Sequence, residues 1–181
     1  GTVNTLYEDA ARDGGVPRYS VFELAPGVPS RASLVGRFDE TMDADAGQFS
    51  MYLMAPLPDE VQAGDSIPIT LGIRAEGTPQ IVPSVFVHLY GTPTPYEGGE
   101  MWGQDDHQLC TSYPSHLWRA DEIIIQVFDL VVSPEAPLGT YTLAAGIYPF
   151  PDGDRLTVTS PRENNHNYVT PHTFTVRSAS R

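Results

Sequence analysis

The stretch Pro83–Gly91, which reads PSVFVHLYG, carries a large side chain at almost every position. Successive side chains of a β-strand point to opposite faces of the sheet. Here one face is aliphatic and the other carries two aromatic rings and a histidine, namely Val85, Val87 and Leu89 against Phe86, His88 and Tyr90. Because a surface strand ordinarily has one polar face, we expect both faces of this strand to be covered. We predict that the aliphatic face lies in a core between two sheets. The second face is then covered mainly by the N-terminal segment or by the connection at 107–121.

The rest of the chain repeats this pattern in short segments separated by turns. Residues 66–75 (SIPITLGIRA) alternate between aliphatic and polar side chains, and residues 122–132 and 140–150 are similar. The 17 prolines and 16 glycines supply turn residues, and no long helical pattern is present. We predict an all-β fold, an antiparallel β-sandwich of Ig-like or jelly-roll type with an irregular N-terminal segment. We expect residues 1–48 to form an arm with an acidic loop that packs on a sandwich of residues 49–181.

Local features add detail to this prediction. Pro68 lacks an amide donor, so its strand is expected to lie at an edge of the sheet there. Residues 151–154 (PDGD) have the composition of a hairpin turn. Residues 6–11 could form one helical turn in an otherwise irregular arm. Residues 38–48 contain four carboxylates, and without the regular spacing of a calcium-binding loop we predict a solvated loop.

Composition narrows the classes of function. A net charge of −13 and a pI near 4.5 disfavour binding to nucleic acid or to anionic membrane surfaces. All ten basic residues are arginine, which excludes a Schiff-base lysine and a phosphate-binding-loop lysine. Cys110 is the only cysteine, so no internal disulfide can form, and we expect an inert thiol because no base is evident beside it. No apolar run approaches the roughly 20 residues of a membrane helix, so we expect no direct membrane insertion of this segment.

Several short motifs occur in an order that resembles a known family. They fall on Gly64 and Asp65, on 85–89, on Gln104 and Asp106, on Tyr113, Pro114 and Trp118, on Gly139 and Tyr141, on Gly146 and Tyr148, and on Arg155 and Leu156. Over residues 61–157 the chain resembles β-sandwich domains of bacterial cell-envelope proteins, like those at the extracytoplasmic end of multi-spanning membrane glycosyltransferase-like proteins. The resemblance implies a periplasmic or cell-surface location in a secreted or membrane-tethered protein. It supplies no catalytic residues, and kinship of fold does not by itself deliver chemistry.

Candidate catalytic and metal-binding residues do not form a familiar pattern. A zinc site needs three or four ligands, and His107, Cys110 and His116 do not have a familiar zinc-ligand spacing. Asp105 and Asp106 are adjacent on a predicted strand, so they point to opposite faces and cannot act as a glycosidase pair. We predict no catalytic residue, no metal and no cofactor, and we expect Asp106 to accept hydrogen bonds from turn amides.

Aromatic residues in or beside the loops are the candidate ligand-binding residues, and they are Tyr96, Trp102, Tyr113 and Trp118. Such rings could form a flat platform on which a sugar stacks, with Asp106 bonding its hydroxyl groups. The alternative is that Tyr113 and Trp118 close one end of the sandwich, since large rings bury much apolar area. The packing alternative is favoured because an isolated aromatic residue is usually part of a core.

Together these patterns predict a non-catalytic, extracytoplasmic accessory or interaction domain of the bacterial cell envelope. Its expected partner is a cell-envelope glycan or a membrane protein, and no nucleic acid is expected. Two alternatives stay open. One is a carbohydrate-binding module that uses the loop aromatics, and the other is a metal-assisted hydrolase, which would require a bound ion.

Overall fold

The computed structural model describes residues 3–8, 19–24, 40–44, 47–91, 99–120, 122–159 and 167–178. Within these residues the protein is all-β, as predicted, with twelve strands and one 3₁₀ turn at Ser115–Leu117. Nowhere in the described part does a helix have the length and apolar character needed to cross a bilayer.

The strands form two sheets that enclose a common core. In chain order the strands are β1 (Val3–Glu8), β2 (Tyr19–Leu24), β3 (Glu40–Ala44), β4 (Gly47–Leu53), β5 (Glu60–Gln62), β6 (Ser66–Ala75), β7 (Pro83–Gly91), β8 (Met101–Gln108), β9 (Glu122–Val131), β10 (Gly139–Pro149), β11 (Thr157–Thr159) and β12 (Val169–Arg177). Among the described residues, one sheet has seven strands in the order β1-β2-β9-β6-β4-β3-β11, and the other has five in the order β5-β12-β10-β7-β8. The described pairs are antiparallel except β5 with β12, which is parallel. The antiparallel prediction therefore holds for all of these pairs but one.

The main core lies between the two sheets. The residues of β6 and β7 that the sequence assigns to the inward faces are all buried, and they are Ile67, Ile69, Leu71, Ile73, Val85, Val87 and Leu89. Burying one such side chain stabilises a fold by about 1.5–3 kcal/mol. The prediction for the aliphatic face of Pro83–Gly91 is therefore confirmed.

The N-terminal segment contributes strands to the seven-stranded sheet. β1 pairs with β2, and β2 pairs with the first half of β9, from Glu122 to Gln126. The helical turn expected at residues 6–11 is wrong, because the chain up to Glu8 belongs to β1. Pairing with a neighbouring strand outweighs a weak local helical pattern.

Part of the acidic stretch is also strand rather than loop. Glu40–Ala44 forms β3 and pairs with β4, so the acidic residues within it lie along a sheet. The solvated loop expected over residues 38–48 is wrong for Glu40–Ala44, because pairing with β4 holds this segment in a strand. The division into an arm of residues 1–48 and a sandwich of residues 49–181 stays a prediction.

Two local predictions about turns and edges have different outcomes. Pro68 lies opposite Asp129 of β9, but in the described pairing the ladder between β6 and β4 ends at Leu71. The strand is therefore an edge at Pro68, as predicted, and the missing amide donor costs no ladder bond there. The hairpin predicted at residues 151–154 is wrong, because β10 lies in the five-stranded sheet whereas β11 pairs with β3 in the other sheet. The turn carries the chain from one sheet to the other, which its composition does not reveal.

Candidate functional site

A second layer of side chains covers part of the outer face of the five-stranded sheet, the face directed away from the main core. Three of its members, Phe86, Ala144 and Tyr168, are buried together, and Tyr90 and Tyr148 are half-buried against them. Three polar residues contact this layer. We call the whole group the outer-face cluster, and its members are Phe86, His88, Tyr90, Asp106, Ala144, Tyr148, Arg155 and Tyr168.

Strand pairing brings most of the cluster together. Phe86 of β7 lies opposite Asp106 of β8 on one side and Gly146 of β10 on the other. His88, two residues further along β7, lies opposite Ala144. Residues directly opposite each other on neighbouring strands share a face, so these side chains project together from the outer face.

The cover of this face differs from the prediction. Among the described residues, Arg155 and Tyr168 contact Phe86 or pack with it, and both lie between the end of β10 and the start of β12. The connection at 107–121 instead packs against the main core, where Trp118 is buried, so the expectation for that connection is wrong. The described strands of the N-terminal segment pair within the opposite sheet.

Phe86 fills the space above a glycine. A Cβ atom on Gly146 would lie 2.4 Å from Cζ of Phe86 and 2.9 Å from the carbonyl oxygen of Asn167. The guanidinium carbon of Arg155 lies 4.0 Å from the centroid of the Phe86 ring. Attraction between a cation and an aromatic ring contributes about 0.5–2 kcal/mol. The glycine therefore lets the ring lie against the sheet, and the ring holds the guanidinium group.

His88 is 4% exposed and has partners at both ring nitrogens. Nε2 lies 2.9 Å from Oδ1 of Asp106, while Nδ1 lies 3.1 Å from the hydroxyl of Tyr90 and 3.5 Å from a guanidinium nitrogen of Arg155. A guanidinium group can only donate, so Nδ1 accepts and Nε2 carries the hydrogen that is donated to Asp106. The four side chains therefore form one connected polar network.

Asp105 and Asp106 point to opposite faces of β8, as predicted. Asp106 accepts a hydrogen bond from His88, because the pairing of β7 with β8 places the imidazole ring beside it. The expectation that Asp106 accepts from turn amides is wrong. Asp105 faces β9, where Oδ2 accepts the backbone N–H of Asp129 at 2.7 Å and Oδ1 lies 2.8 Å from Nε2 of His107. Asp106 therefore forms its hydrogen bond on the outer face of the five-stranded sheet, and Asp105 forms one with β9 of the other sheet.

Trp118 is buried in the main core, and Tyr113 packs against this core. Trp118 is 4% exposed and donates its indole N–H to the carbonyl of Tyr113 at 2.9 Å. The hydroxyl of Tyr113 lies 2.8 Å from Oε2 of Glu122. Burial, together with the hydrogen bond and the charge of Glu122, raises the pKa of Tyr113 to about 12. This arrangement corresponds to the packing alternative, and ligand binding at these two rings stays a prediction.

The other candidate aromatics lie elsewhere. Trp102 of β8 is half-buried and packs against the main core, and its Nε1 lies 3.3 Å from the position that a Cβ atom on Gly91 would take. Tyr96 lies outside the described residues. Of the four candidates that are described, Asp106 alone belongs to the outer-face cluster.

Sequence reasoning did not find Tyr148, Arg155 and Tyr168 as members of this group. A signal for Tyr148 existed, because alternation in β10 places it opposite Ser84 on the outer face. Arg155 and Tyr168 lie beside turns, and no period of the sequence indicates where such side chains point.

The residues weighed as zinc ligands do not gather into a metal site. In the described part of the chain, no group of three or more His, Cys, Asp or Glu side chains is placed to hold a metal ion. Cys110 is buried in the main core.

Comparison with known proteins gives no family. No family model matches the chain, and no curated protein matches it. Solved structures that match include two crystal structures of β-glucosidase from Listeria innocua, in complex with gluconolactone and with isofagomine. Both are 12% identical, with TM-scores of 0.40 and 0.39, and the matches cover 72% and 74% of this chain. The chain spans 16% of the length of each glucosidase chain. A likeness at this level carries no argument about function.

Proposed function

We propose that this chain is a non-catalytic, extracytoplasmic interaction domain of the bacterial cell envelope, and that it binds its partner through the outer-face cluster. The observation that carries the proposal is the polar network in which His88 joins Asp106, Tyr90 and Arg155. This network lies on a sheet face that the main core does not use.

The polar network is not needed to bury the main core. The aliphatic side chains are already buried between the sheets, and the outer face of an antiparallel sheet normally carries separate, solvated polar groups. Here Arg155 rests on Phe86, and Asp106 is fixed by His88. Polar groups held in place by packing lose less conformational freedom when they bind a partner. The cluster is therefore preorganised for recognition.

The location and the kind of partner have separate support. The extracytoplasmic location rests on the resemblance of residues 61–157 to cell-envelope β-sandwich domains. The net charge of −13 opposes association with polyanions, so the partner is better sought among envelope glycans and the exposed parts of membrane proteins.

Sedimentation with purified bacterial cell walls, and separately with envelope membranes, tests the binding part of the proposal. We expect the wild-type protein to bind one of these preparations saturably, and we expect Arg155→Ala to lower the bound fraction severalfold. The matched control is Arg177→Ala, since Arg177 lies on β12 of the same sheet and its side chain is 61% exposed. Binding to neither preparation, or equal binding by Arg155→Ala, would contradict the proposal.

Mass analysis of the wall material after prolonged incubation tests the non-catalytic part. We expect the wall fragments to keep their masses. Release of soluble products by the wild-type protein, lost in Asp106→Asn, would show that the cluster performs chemistry and would overturn this part.

A further inference from the structure

We infer that the outer-face cluster binds a neutral saccharide, meaning one without carboxylate, phosphate or sulfate groups. The inference rests on the proposed function and adds the chemical class of the ligand. The site differs from a platform of loop aromatics, because it is built on the face of regular strands and shares only Asp106 with that platform.

The hydrogen-bonding groups of the cluster match hydroxyl groups. A sugar hydroxyl both donates and accepts, so it needs neighbours of both kinds. Arg155 can only donate, the carboxylate of Asp106 can only accept, and the hydroxyl of Tyr90 can do both. Gln104, which is exposed and lies opposite His88 on β8, adds another donor and acceptor. A ligand with many hydroxyl groups can satisfy all of these groups at once.

The charges of the cluster indicate that the ligand is neutral. Arg155 and Asp106 contact the two nitrogens of one imidazole ring, so their opposite charges are held on either side of it. An anionic sugar would be attracted by Arg155 but repelled by Asp106 and by the net charge of −13. A neutral ligand meets no such opposition.

The rings of the cluster form a row along the sheet. The sequence Tyr148, Phe86, His88 and Tyr90 has consecutive ring centroids 6.4, 4.7 and 5.9 Å apart. The two tyrosines at the ends are half-buried, so part of each ring is open to solvent. The C–H faces of sugar rings are apolar and can bury area against such rings. Phe86 is 0% exposed and His88 is 4% exposed, so the two tyrosine rings offer a ligand two separate apolar contacts rather than a continuous row. Two separate contacts suit an oligosaccharide better than a single sugar unit.

Titration with soluble oligosaccharides, followed by calorimetry and by NMR chemical shifts, tests the inference. The panel contains neutral oligomers of glucose, mannose, xylose and N-acetylglucosamine, together with oligogalacturonate and a phosphorylated mannan fragment. We expect saturable binding of at least one neutral oligomer. We expect Tyr90→Phe and Arg155→Lys each to weaken that binding by about fivefold or more, because each loses a hydrogen bond or a stacked group.

Two controls make the result specific. Arg177→Lys makes the same substitution elsewhere on the five-stranded sheet and is expected to bind like wild type. Trp102→Phe probes the loop platform and is also expected to bind like wild type. A loss of binding in Trp102→Phe with none in Tyr90→Phe would place the ligand away from the cluster and would overturn the inference.

The remaining outcomes separate the inference from the proposed function. If the protein sediments with an envelope preparation in a manner that depends on Arg155 but binds no neutral oligomer, the saccharide inference is overturned. The proposal of an interaction domain then still stands. Binding of an anionic oligomer about tenfold more tightly than any neutral one would overturn the neutral class. Binding to no envelope preparation and to no oligomer would overturn both.

Discussion

At the scale of single residues, the outer-face cluster leaves no room for added atoms beneath the Phe86 ring. Gly146→Ala would place a methyl group 2.4 Å from that ring, so the ring or the strand must move. We expect the free energy of unfolding to fall by about 1–3 kcal/mol, the usual cost of overpacking. Urea denaturation followed by circular dichroism measures the change.

The control for this prediction is Gly77→Ala. No atom lies within 4 Å of a Cβ built on Gly77, so we expect its stability to stay within about 0.5 kcal/mol of wild type. Equal losses in the two variants, or no loss in Gly146→Ala, would show that Phe86 does not constrain the glycine.

The contact between half-buried Tyr113 and buried Glu122 predicts how stability depends on alkaline pH. The pKa of Tyr113 is about 12 in the folded protein, against 10.0 for an ordinary tyrosine. Below pH 10 both states keep the phenol protonated, so the contribution is fully present. Between pH 10 and 12 the unfolded state ionises first, and stability is therefore lost as pH rises. Unfolding curves across this range should show the loss.

Tyr113→Phe removes this group and identifies its share of the loss. We expect the variant to be less stable near neutral pH, because Glu122 loses a hydrogen-bond donor, yet to lose less stability between pH 10 and 12. Some loss should persist, since burial also raises the pKa of Tyr141. An unchanged slope in Tyr113→Phe would contradict the assignment.

At the scale of elements, β8 closes one side of the sandwich against β9. β2 pairs with β9 only as far as Gln126, so in the described pairing the later part of β9 has a free edge on that side. Asp105 accepts the N–H of Asp129 there, and the N–H of Ser133 donates to the carbonyl of Trp102. A side chain and the backbone of one sheet thus satisfy donors near the edge of the other, which lowers the risk of edge-to-edge association.

Asp105→Ala tests this link between the sheets. We expect the amide hydrogen of Asp129 to exchange about fivefold faster or more, because a hydrogen bond to a charged acceptor contributes about 1.5–3 kcal/mol. Hydrogen exchange measured by NMR gives the rate for this amide.

The neighbouring residue supplies the comparison for that measurement. Asp106→Ala changes a carboxylate on the opposite face of β8 and is expected to leave the exchange of the Asp129 amide unchanged. Faster exchange of similar size in both variants would mean that β8 loosens as a whole rather than losing one bond.

At the scale of the whole molecule, the N-terminal strands complete the seven-stranded sheet. A chain of residues 49–181 lacks β1, β2, β3 and the first two residues of β4, so it leaves β9, β4 and β11 without these neighbours. Unpaired edges favour association between chains. We expect this fragment to aggregate or to unfold at lower urea than the full chain, as measured by light scattering and circular dichroism.

A chain of residues 1–178 keeps all twelve described strands and is the matched deletion. We expect it to behave like the full chain. A monomeric fragment of residues 49–181 with the stability of the full chain would instead support the division at residue 48 and would show that the arm is dispensable for folding.

The candidate site was partly visible in the sequence. Alternation along Pro83–Gly91 places Phe86, His88 and Tyr90 on one face, and the adjacency of Asp105 and Asp106 separates their directions. The contact of His88 with Arg155 was not visible, because Arg155 lies 67 residues away and reaches it only through the arrangement of β10 beside β7. Among the loop aromatics, Trp118 lies in the main core, where its large apolar area is buried.

The sequence by itself determined the all-β class, the inward faces of β6 and β7, and the strand edge at Pro68. These properties follow from a period of two and from the missing proline amide, which are local and do not depend on which strands become neighbours. Only the tertiary structure decided which sheet each strand joins and which side chains cover the outer face of the five-stranded sheet. The arrangement of strands and covering side chains depends on contacts between segments that are distant in the sequence. The free energy of these contacts comes from burial and strand pairing, which a local pattern of residues does not show.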